Sequence, residues 1–551
     1  MPVWKISSKY NEKESVTDQI LKNRGIISEK ERELFLNPPS FSHWFKKLPR
    51  DLLGSLRDAR DLINETISKN IPIVVHGDYD ADGICASAIL YKTIKEDLGY
   101  ENVCTFIPNR FEHGYGLSEK SIQASLDKVK ENGGSEKVLF VTVDSGITAN
   151  EEIEQIVKAG HKVIVTDHHQ KPKELPPADI IVWYDQVVGA TVAYLLSVVL
   201  GLKDKDLIAY SCVATITDLQ PVLSFNRTIV KQGLEIINSN PPLGIKSLLG
   251  VSGRAGNIVT AGDLGWIVGP RLNASGRVED PSLALDLLLE NDSEASTKIA
   301  RELNQVNSKR QDKTLEMYEI AAELDEEELP KIIVSYDENY HEGIIGLVAS
   351  RLAKKYYRPA IVISTAEDIS KGSVRSIQGI NIIETLREVE DLFTSLGGHP
   401  MAAGFSIKRE DIGKLEEFLR EFSEKYISDE MLNRVLKVDL GIPASLIDEN
   451  LMNELDLLRP YGMGNREPVF ASYNLNVTGV NIVGKEQQHL SLRLLDGDKF
   501  AKAIYFNYKD YFKEEINTGN KIDIVYTLKK NEFNGKTYID MIIKDIKKSE
   551  V

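Results

Sequence analysis

At 551 residues, 42% hydrophobic and 27% charged, the chain is long enough for roughly three or four domains and is excluded from the disordered and fibrous classes. Its net charge of −16 speaks against a general nucleic-acid coat protein, while leaving room for an enzyme with a local basic groove. Cys85, Cys104 and Cys212 form no CxxC and sit in apolar settings, so they read as buried small hydrophobes in a reducing compartment rather than as disulfides or a zinc site.

Residues 1–51 read as a small helical lead-in. Trp4, Leu34, Phe35, Leu36, Phe41, Trp44 and Phe45 are expected to pack against the next domain. The N-terminus has no apolar h-region, and the longest apolar stretch, Gly189–Leu202, falls short of the ~20 residues of a membrane span. A cytoplasmic protein without membrane contact is expected.

Residues 52–290 alternate apolar, strand-like runs (Ile71–Val75, Val138–Val143, Val163–Val165, Ile180–Trp183) with amphipathic stretches (Ile84–Leu98, Ser118–Lys130, Glu151–Ala159). That alternation predicts a parallel sheet in an α/β domain, with ligands at the carboxyl ends of its strands. Carboxylates and imidazoles fall at those ends. The first run leads into His76–Gly83, HGDYDADG, with Asp78, Asp80 and Asp82 two apart. The second ends in Asp144, and the third in Asp167, His168 and His169. Asp218 closes the apolar helix Leu207–Thr217. Three carboxylates in one tight loop are tolerable beside a divalent cation. An EF-hand calcium loop needs Glu at the twelfth position from Asp78, where Ile89 stands, and a helix before it, where the sequence reads as strand. A capping role suits Asp82 alone, and a helix-end role suits Asp218 alone; neither covers the whole set.

HGDYDADG, VDSG, DHH and the Asp of TITD, in that order, resemble the four motifs of the DHH phosphoesterase superfamily. The resemblance implies two Mn²⁺ or Mg²⁺ ions, which in such sites stand about 3.5–4 Å apart and serve the attacking and leaving oxygens of a phosphodiester. It further implies that Asp144 bridges the ions. Asp80, with Asp78 or His76, serves one, and Asp82, His168 and Asp218 serve the other. His169 is expected to face the scissile phosphate, and Asp167 to orient an imidazole. His76 has the alternative of a simple hydrogen bond within the loop. WYDQ at Trp183–Gln186 and SFNR at Ser224–Arg227 depart from the Asn-Pro-type and GENR-like segments expected there.

Gly269–Arg277, GPRLNASGR, sets Arg271 and Arg277 among Asn273, Ser275 and other small residues. Arginine forks match phosphate oxygens, and small neighbours let a strand come close; the alternative is an internal salt bridge. Residues 291–329 read as a connecting helix with Ile299, Leu303 and Val306 at helical spacing, ending in a solvated acidic run, Asp325–Glu328.

Residues 330–430 bring HEGIIGLVASRL with Arg351, GSVRS with Arg375 and Ser376, and LGGHPMAAGFSI with Gly397, Gly398 and His399. These blocks resemble the DHHA1 domain, which implies substrate contact; for the paired glycines a tight turn is the alternative. Residues 431–551 carry about five short alternating strands with hairpin signals at Asp496-Gly497 and Asn534-Gly535, suited to an OB-like barrel. Phe500, Tyr505, Phe506, Tyr526 and Phe533 either stack bases or fill the barrel. YGMGNREP, Tyr461–Pro468, reads as a structured linker.

The domain order resembles the branch of the superfamily that degrades single-stranded DNA from 5′ to 3′ into 5′-mononucleotides in recombination and repair. It implies a passage between the DHH and DHHA1 domains too narrow for duplex, and action as a monomer beside a single-strand-binding protein and a recombination helicase. Two alternatives stand: a phosphodiesterase for short oligoribonucleotides or cyclic dinucleotides, and a non-catalytic single-strand-binding scaffold.

Overall fold

The computed structural model describes residues 2–549 except 115, 135–136, 326–327, 511, 513 and 534–535, and omits the side chains of 510, 532–533 and 536–537. The Asn534-Gly535 hairpin, the Phe533 ring and the middle of the Asp325–Glu328 run therefore lie outside the described residues. The chain forms two compact units, one of residues 39–432 with 462–464, the other of 1–38, 433–461 and 465–551. Strand β1 (Val3–Ile6) opens the chain and belongs to the second of these.

In the first unit, β2 (Ile73–His76), β3 (Val103–Phe106), β4 (Leu139–Val143), β5 (Lys162–Asp167) and β6 (Ile180–Trp183) form a sheet of order β3-β2-β4-β5-β6, parallel throughout. Residues of β2 and β4 are buried without exception, as expected for strands covered on both faces by helices. Strand β3 sits at the edge, and its short VCTF segment gives no comparable sequence signal. One core cluster joins the sheet to the buried helix Ala81–Lys92 and to helices Gly189–Leu200 and Ile208–Thr217. Phe41, Trp44 and Phe45 pack on that core, and the Trp44 indole donates to Thr228 Oγ1 at 2.9 Å. All three cysteines are buried and free.

The 29-residue helix Ser293–Ala321, capped by Asp292, leads to a second sheet. Its strands are β7 (Ile333–Asp337), β8 (Ala360–Ser364), β9 (Ile369–Arg375), β10 (Phe393–His399) and β11 (Ala402–Lys408), in the order β10-β11-β9-β8-β7. Only β7 and β8 run parallel.

The second unit contains β12 (Val435–Val438), β13 (Leu440–Gly441), β14 (Phe470–Val483), β15 (His489–Asp496), β16 (Lys499–Tyr505), β17 (Lys521–Phe533) and β18 (Lys536–Lys548). Pairing of β14 with β17 closes β14-β15-β16-β18-β17 into a barrel, which leaves no free edge. Tyr505 and Tyr526 are barrel core, whereas Phe500 and Phe506 are exposed.

Trp4 does not join the neighbouring α/β domain. Strand β1 pairs in parallel with β12, and the Trp4 indole donates to Asp545 Oδ2 at 2.6 Å with Lys547 over its ring. Arg24 fixes the same arrangement: Nε reaches Asp439 Oδ1 at 3.0 Å and one terminal nitrogen reaches Asn465 Oδ1 at 2.7 Å. Asp439 is 2% exposed, and the other arginine on it, Arg466, stands 3.8 Å away, so removing Arg24 takes the closer partner from a buried carboxylate. Arg24→Ala is expected to destabilise this unit by about 3 kcal/mol, read as an early shift in the urea transition followed by barrel tyrosine fluorescence.

Candidate active site

His76–Gly83 leaves the carboxyl end of β2 and turns into helix Ala81–Lys92. Asp80 is that helix's N-cap, its Oδ1 accepting from the amides of Asp82 and Gly83 at 2.9 and 3.2 Å. Both oxygens of Asp82 are held by a different helix: they accept from the amides of Gly189 and Ala190, at 2.8 and 2.7 Å, in the first turn of Gly189–Leu200. A helix N-terminus favours an anion there. Asp144 follows β4 with φ of +58°, a conformation uncommon outside glycine. Its carboxylate lies so close to Gly189 that a Cβ at that position would collide with it. Asp167 accepts from the amides of Ile147, His168 and His169 at 2.7–3.0 Å and from His169 Nδ1 at 2.8 Å.

These strand ends converge. Three groups of donors each lie within 4.8 Å: Asp78, Asp80 and Asp144; Asp82, His168 and Asp218; Asp144, His168 and His169. His168 Nε2 stands 3.1 Å from Asp144 Oδ1, 3.6 Å from Asp82 Oδ2 and 4.0 Å from Asp218 Oδ2. Despite that closest approach, Asp144 Oδ1 has no hydrogen-bond partner, and neither has the buried Asp78 Oδ1.

Electrostatics in the cluster points the same way. Burial, then repulsion from Asp218 and Asp80, pushes the Asp82 carboxyl far up; burial and then Asp82 do the same to Asp144. Burial and Asp80 raise Asp78 and Asp218 to about 7. Burial holds His168 down at about 4, a neutral imidazole with a lone pair to offer. Orphaned carboxylate oxygens that resist ionisation, beside a neutral imidazole, fit hard divalent cations, whose charge removes the repulsion. For Asp167, burial is outweighed by the hydrogen bonds from His169 and from the amides, and its carboxyl stays below the ordinary range. His169 is raised to about 9, first by its hydrogen bond to Asp167. His76 stands apart from the three donor groups. It is fully buried, held down at about 4 by burial, and packed beside Phe106, with neither ring nitrogen hydrogen-bonded.

Arginines gather beside these donors. Burial, then Arg277, Arg351 and Arg271, pulls Arg310 down to about 10, and burial and Arg277 lower Arg375. Arg271 bonds Asn304 and the Ile267 carbonyl rather than a carboxylate, Arg277 approaches the Gly343 carbonyl, and Arg351 lies over the Tyr318 ring. Like-charged guanidiniums are drawn together here without carboxylate partners among the described residues, a setting that suits phosphates.

Of the residues expected at the substrate, Asn273, Ser275 and Ser376 are engaged within the fold, whereas Gly398 and His399 reach the site. Asn273 Oδ1 accepts the Ala81 amide at 2.6 Å and so ties down the aspartate loop. Ser275 is fully buried and bonds within its own helix, because its side of Gly269–Val278 faces the core. Ser376 is nearly buried and donates to the Ile380 carbonyl. Gly397 and Gly398 lie on β10, opposite Gly404 and Ala403. Gly398 and His399 line a cavity of about 610 Å³ together with Asp78, Asp144, His169 and Lys171.

The sequence reading passed over Arg110, which lies over the Tyr79 ring, and the helix start at Gly189 that holds Asp82. It took Gly462–Gly464 only as part of a structured linker. The Met463 carbonyl accepts from the Val222 amide at 2.8 Å, in the turn after Asp218, and a Cβ at Gly462 would press on Val222. No local pattern marks these residues, since each acts on a distant segment.

A parallel sheet with aspartates and a His-His pair at its carboxyl edge, followed by a second α/β domain, defines a DHH-type phosphoesterase. Models of the DHH family N-terminal domain, the DHHA1 domain and the RecJ OB domain match residues 72–217, 329–428 and 438–545. The chain is 33% identical over 547 residues to the single-stranded-DNA-specific exonuclease RecJ of Bacillus subtilis (strain 168), covering 96% of this chain and 68% of that one. Crystal structures of RecJ from Thermus thermophilus in complex with Mn²⁺ and with Mg²⁺ superpose with TM-scores of 0.82 and 0.76 at 28% and 27% identity, over 100% of this chain and 80% and 79% of theirs. The chain belongs to the RecJ family.

Because Asn273 anchors the aspartate loop from outside the donor groups, Asn273→Ala is expected to weaken Mn²⁺ binding by about tenfold. Calorimetric titration of the folded variant checks this.

Proposed function

We propose that the chain is a metal-dependent exonuclease that degrades single-stranded DNA from 5′ to 3′, releasing 5′-mononucleotides in DNA recombination and repair. The observation that carries this reading is the convergence of Asp78, Asp80, Asp82, Asp144, His168 and Asp218 into adjoining donor groups beside carboxylate-free arginines. Asp78, Asp80 and Asp144 would hold one Mn²⁺ or Mg²⁺, and Asp82, His168 and Asp218 the other, with Asp144 common to both. When bound, two such ions supply the charge that activates water and offsets both reacting oxygens of a phosphodiester.

The chain's own residues do the rest. Asp167 takes the Nδ1 edge of His169 and leaves the other edge of the ring for a phosphate oxygen. Arg277, Arg310, Arg351 and Arg375 hold the strand by its phosphates, without reading bases. The closed barrel, with exposed Phe500 and Phe506, supplies aromatic faces of the kind that bind single strands irrespective of sequence. A small-molecule phosphodiesterase has no use for such a barrel.

A single-strand-binding protein and a recombination helicase are the partners we propose, with the chain acting as a monomer in the cytoplasm. Among the described residues, no helix is long and apolar enough to cross a membrane.

End-labelled DNA and RNA strands, each with and without Mn²⁺, test the reading. Single-stranded DNA is expected to be shortened from its 5′ end only with metal present, and a dinucleotide to turn over more slowly. Asp144→Ala should cut turnover more than about a hundredfold, because changes even to outer partners of a metal site cost 10–100-fold. Wild-type turnover by the folded variant would refute the assignment.

A further inference from the structure

One segment departs from the pattern of the resembled superfamily and has so far no role: Trp183–Gln186. Trp183 ends β6 directly opposite Asp167. Its indole N–H donates to the carbonyl of His169 at 2.7 Å. His169 is therefore gripped from two sides, its ring and amide by Asp167 and its carbonyl by Trp183. Two residues on, the Lys171 ammonium sits 3.8 Å from the centre of the Trp183 ring. Lys171 is exposed and pairs with no carboxylate among the described residues, so the indole face is what localises it.

The placement matters because His169 and Lys171 both line the cavity of about 610 Å³ that Asp144, Gly398 and His399 also line. Its volume lies in the range of small-ligand pockets. Its charged lining is otherwise mostly acidic: Asp78, Asp144, Asp167 and Glu152. A nucleotide entering it needs a cation away from those carboxylates, and a lysine on a four-carbon stem supplies one only if its position is restricted.

We propose that Trp183 is a positioning residue with two separable actions: its N–H sets the His-His turn, and its ring face holds Lys171 to receive a backbone phosphate of the strand next to the scissile one. This rests on the exonuclease reading above. Trp183 meets the donor groups only at the backbone carbonyl of His169, not at a ligand atom; it works through His169 and Lys171.

Substitutions that remove one action at a time make the test. Trp183→Phe keeps a ring and loses the N–H, Trp183→Asn keeps a donor and loses the ring, and Lys171→Gln removes the cation. Each is made in the full chain and accepted once its melting temperature matches the parent. Single-strand binding is followed by fluorescence anisotropy across a salt series, and turnover with Mn²⁺ is split into kcat and KM. Lys171→Gln and Trp183→Asn should each flatten the slope of log K against log salt by about one phosphate contact and raise KM. The double variant Trp183→Asn/Lys171→Gln should be no worse than either single one, the non-additivity expected when two residues serve one contact. Trp183→Phe should keep the slope and lower kcat by about tenfold, the smaller cost of losing an outer partner.

Additive effects in the double variant, an unchanged slope in Trp183→Asn, or a wild-type kcat in Trp183→Phe would each overturn the assignment. Failure of the exonuclease reading shows itself separately, as a parent chain that neither binds nor cuts single strands, and would overturn both.

Discussion

Five aspartates and a neutral imidazole, most of them buried, are forced into contact at the edge of one sheet, and like charges in a poorly solvated interior repel strongly. Several local features of the first unit gather around that cluster. Asp82 is shared between two helix starts, one in whose first turn it stands and one whose amides it takes. Asp144 adopts a left-handed backbone, and the residue beside it lacks a side chain. Asn273 spends its carbonyl on the loop instead of on a ligand. The fold pre-assembles an anionic cage that metal charge completes, so metal affinity and folding stability draw on the same interactions.

The guanidinium cluster is the counterpart of that cage. A chain of net charge −16 has no general attraction for nucleic acid. Arg277, Arg310, Arg351 and Arg375 collect positive charge in one place, where burial first, and then repulsion from Arg277, Arg351 and Arg271, lowers Arg310 to about 10. Cage and cluster thus each hold charge of one sign in a poorly solvated setting.

Much of this was legible in the sequence because Asp144 and Asp218 directly end apolar runs and Asp78, Asp80 and Asp82 follow another within a short loop, so the elements that carry the carboxylates also aim them. The parallel sheet, the connecting helix and the closed barrel follow from periodicity for the same reason. What escaped prediction depends on distant partners. Trp4 looked like part of an adjoining core, yet its partner Asp545 lies 541 positions away. Asn273 and Ser275 looked like substrate contacts because the residue types fit; only the direction of the helix face shows one tied to Ala81 and the other buried. The amides that hold Asp82 come from 107 and 108 positions on, from a stretch whose sequence announces nothing but an apolar helix.

The three-residue clip at Gly462–Gly464 has a bearing on how this protein is divided. Its neighbours on either side in the chain belong to the barrel unit, but the clip itself is seated under the turn that carries Asp218. A catalytic fragment trimmed at the apparent border near residue 432 would discard this prop, and the turn after Asp218 would lose the carbonyl that holds Val222. Truncation at that border is therefore no neutral dissection: loss of cleavage by such a fragment would speak as much about a missing brace as about a missing barrel.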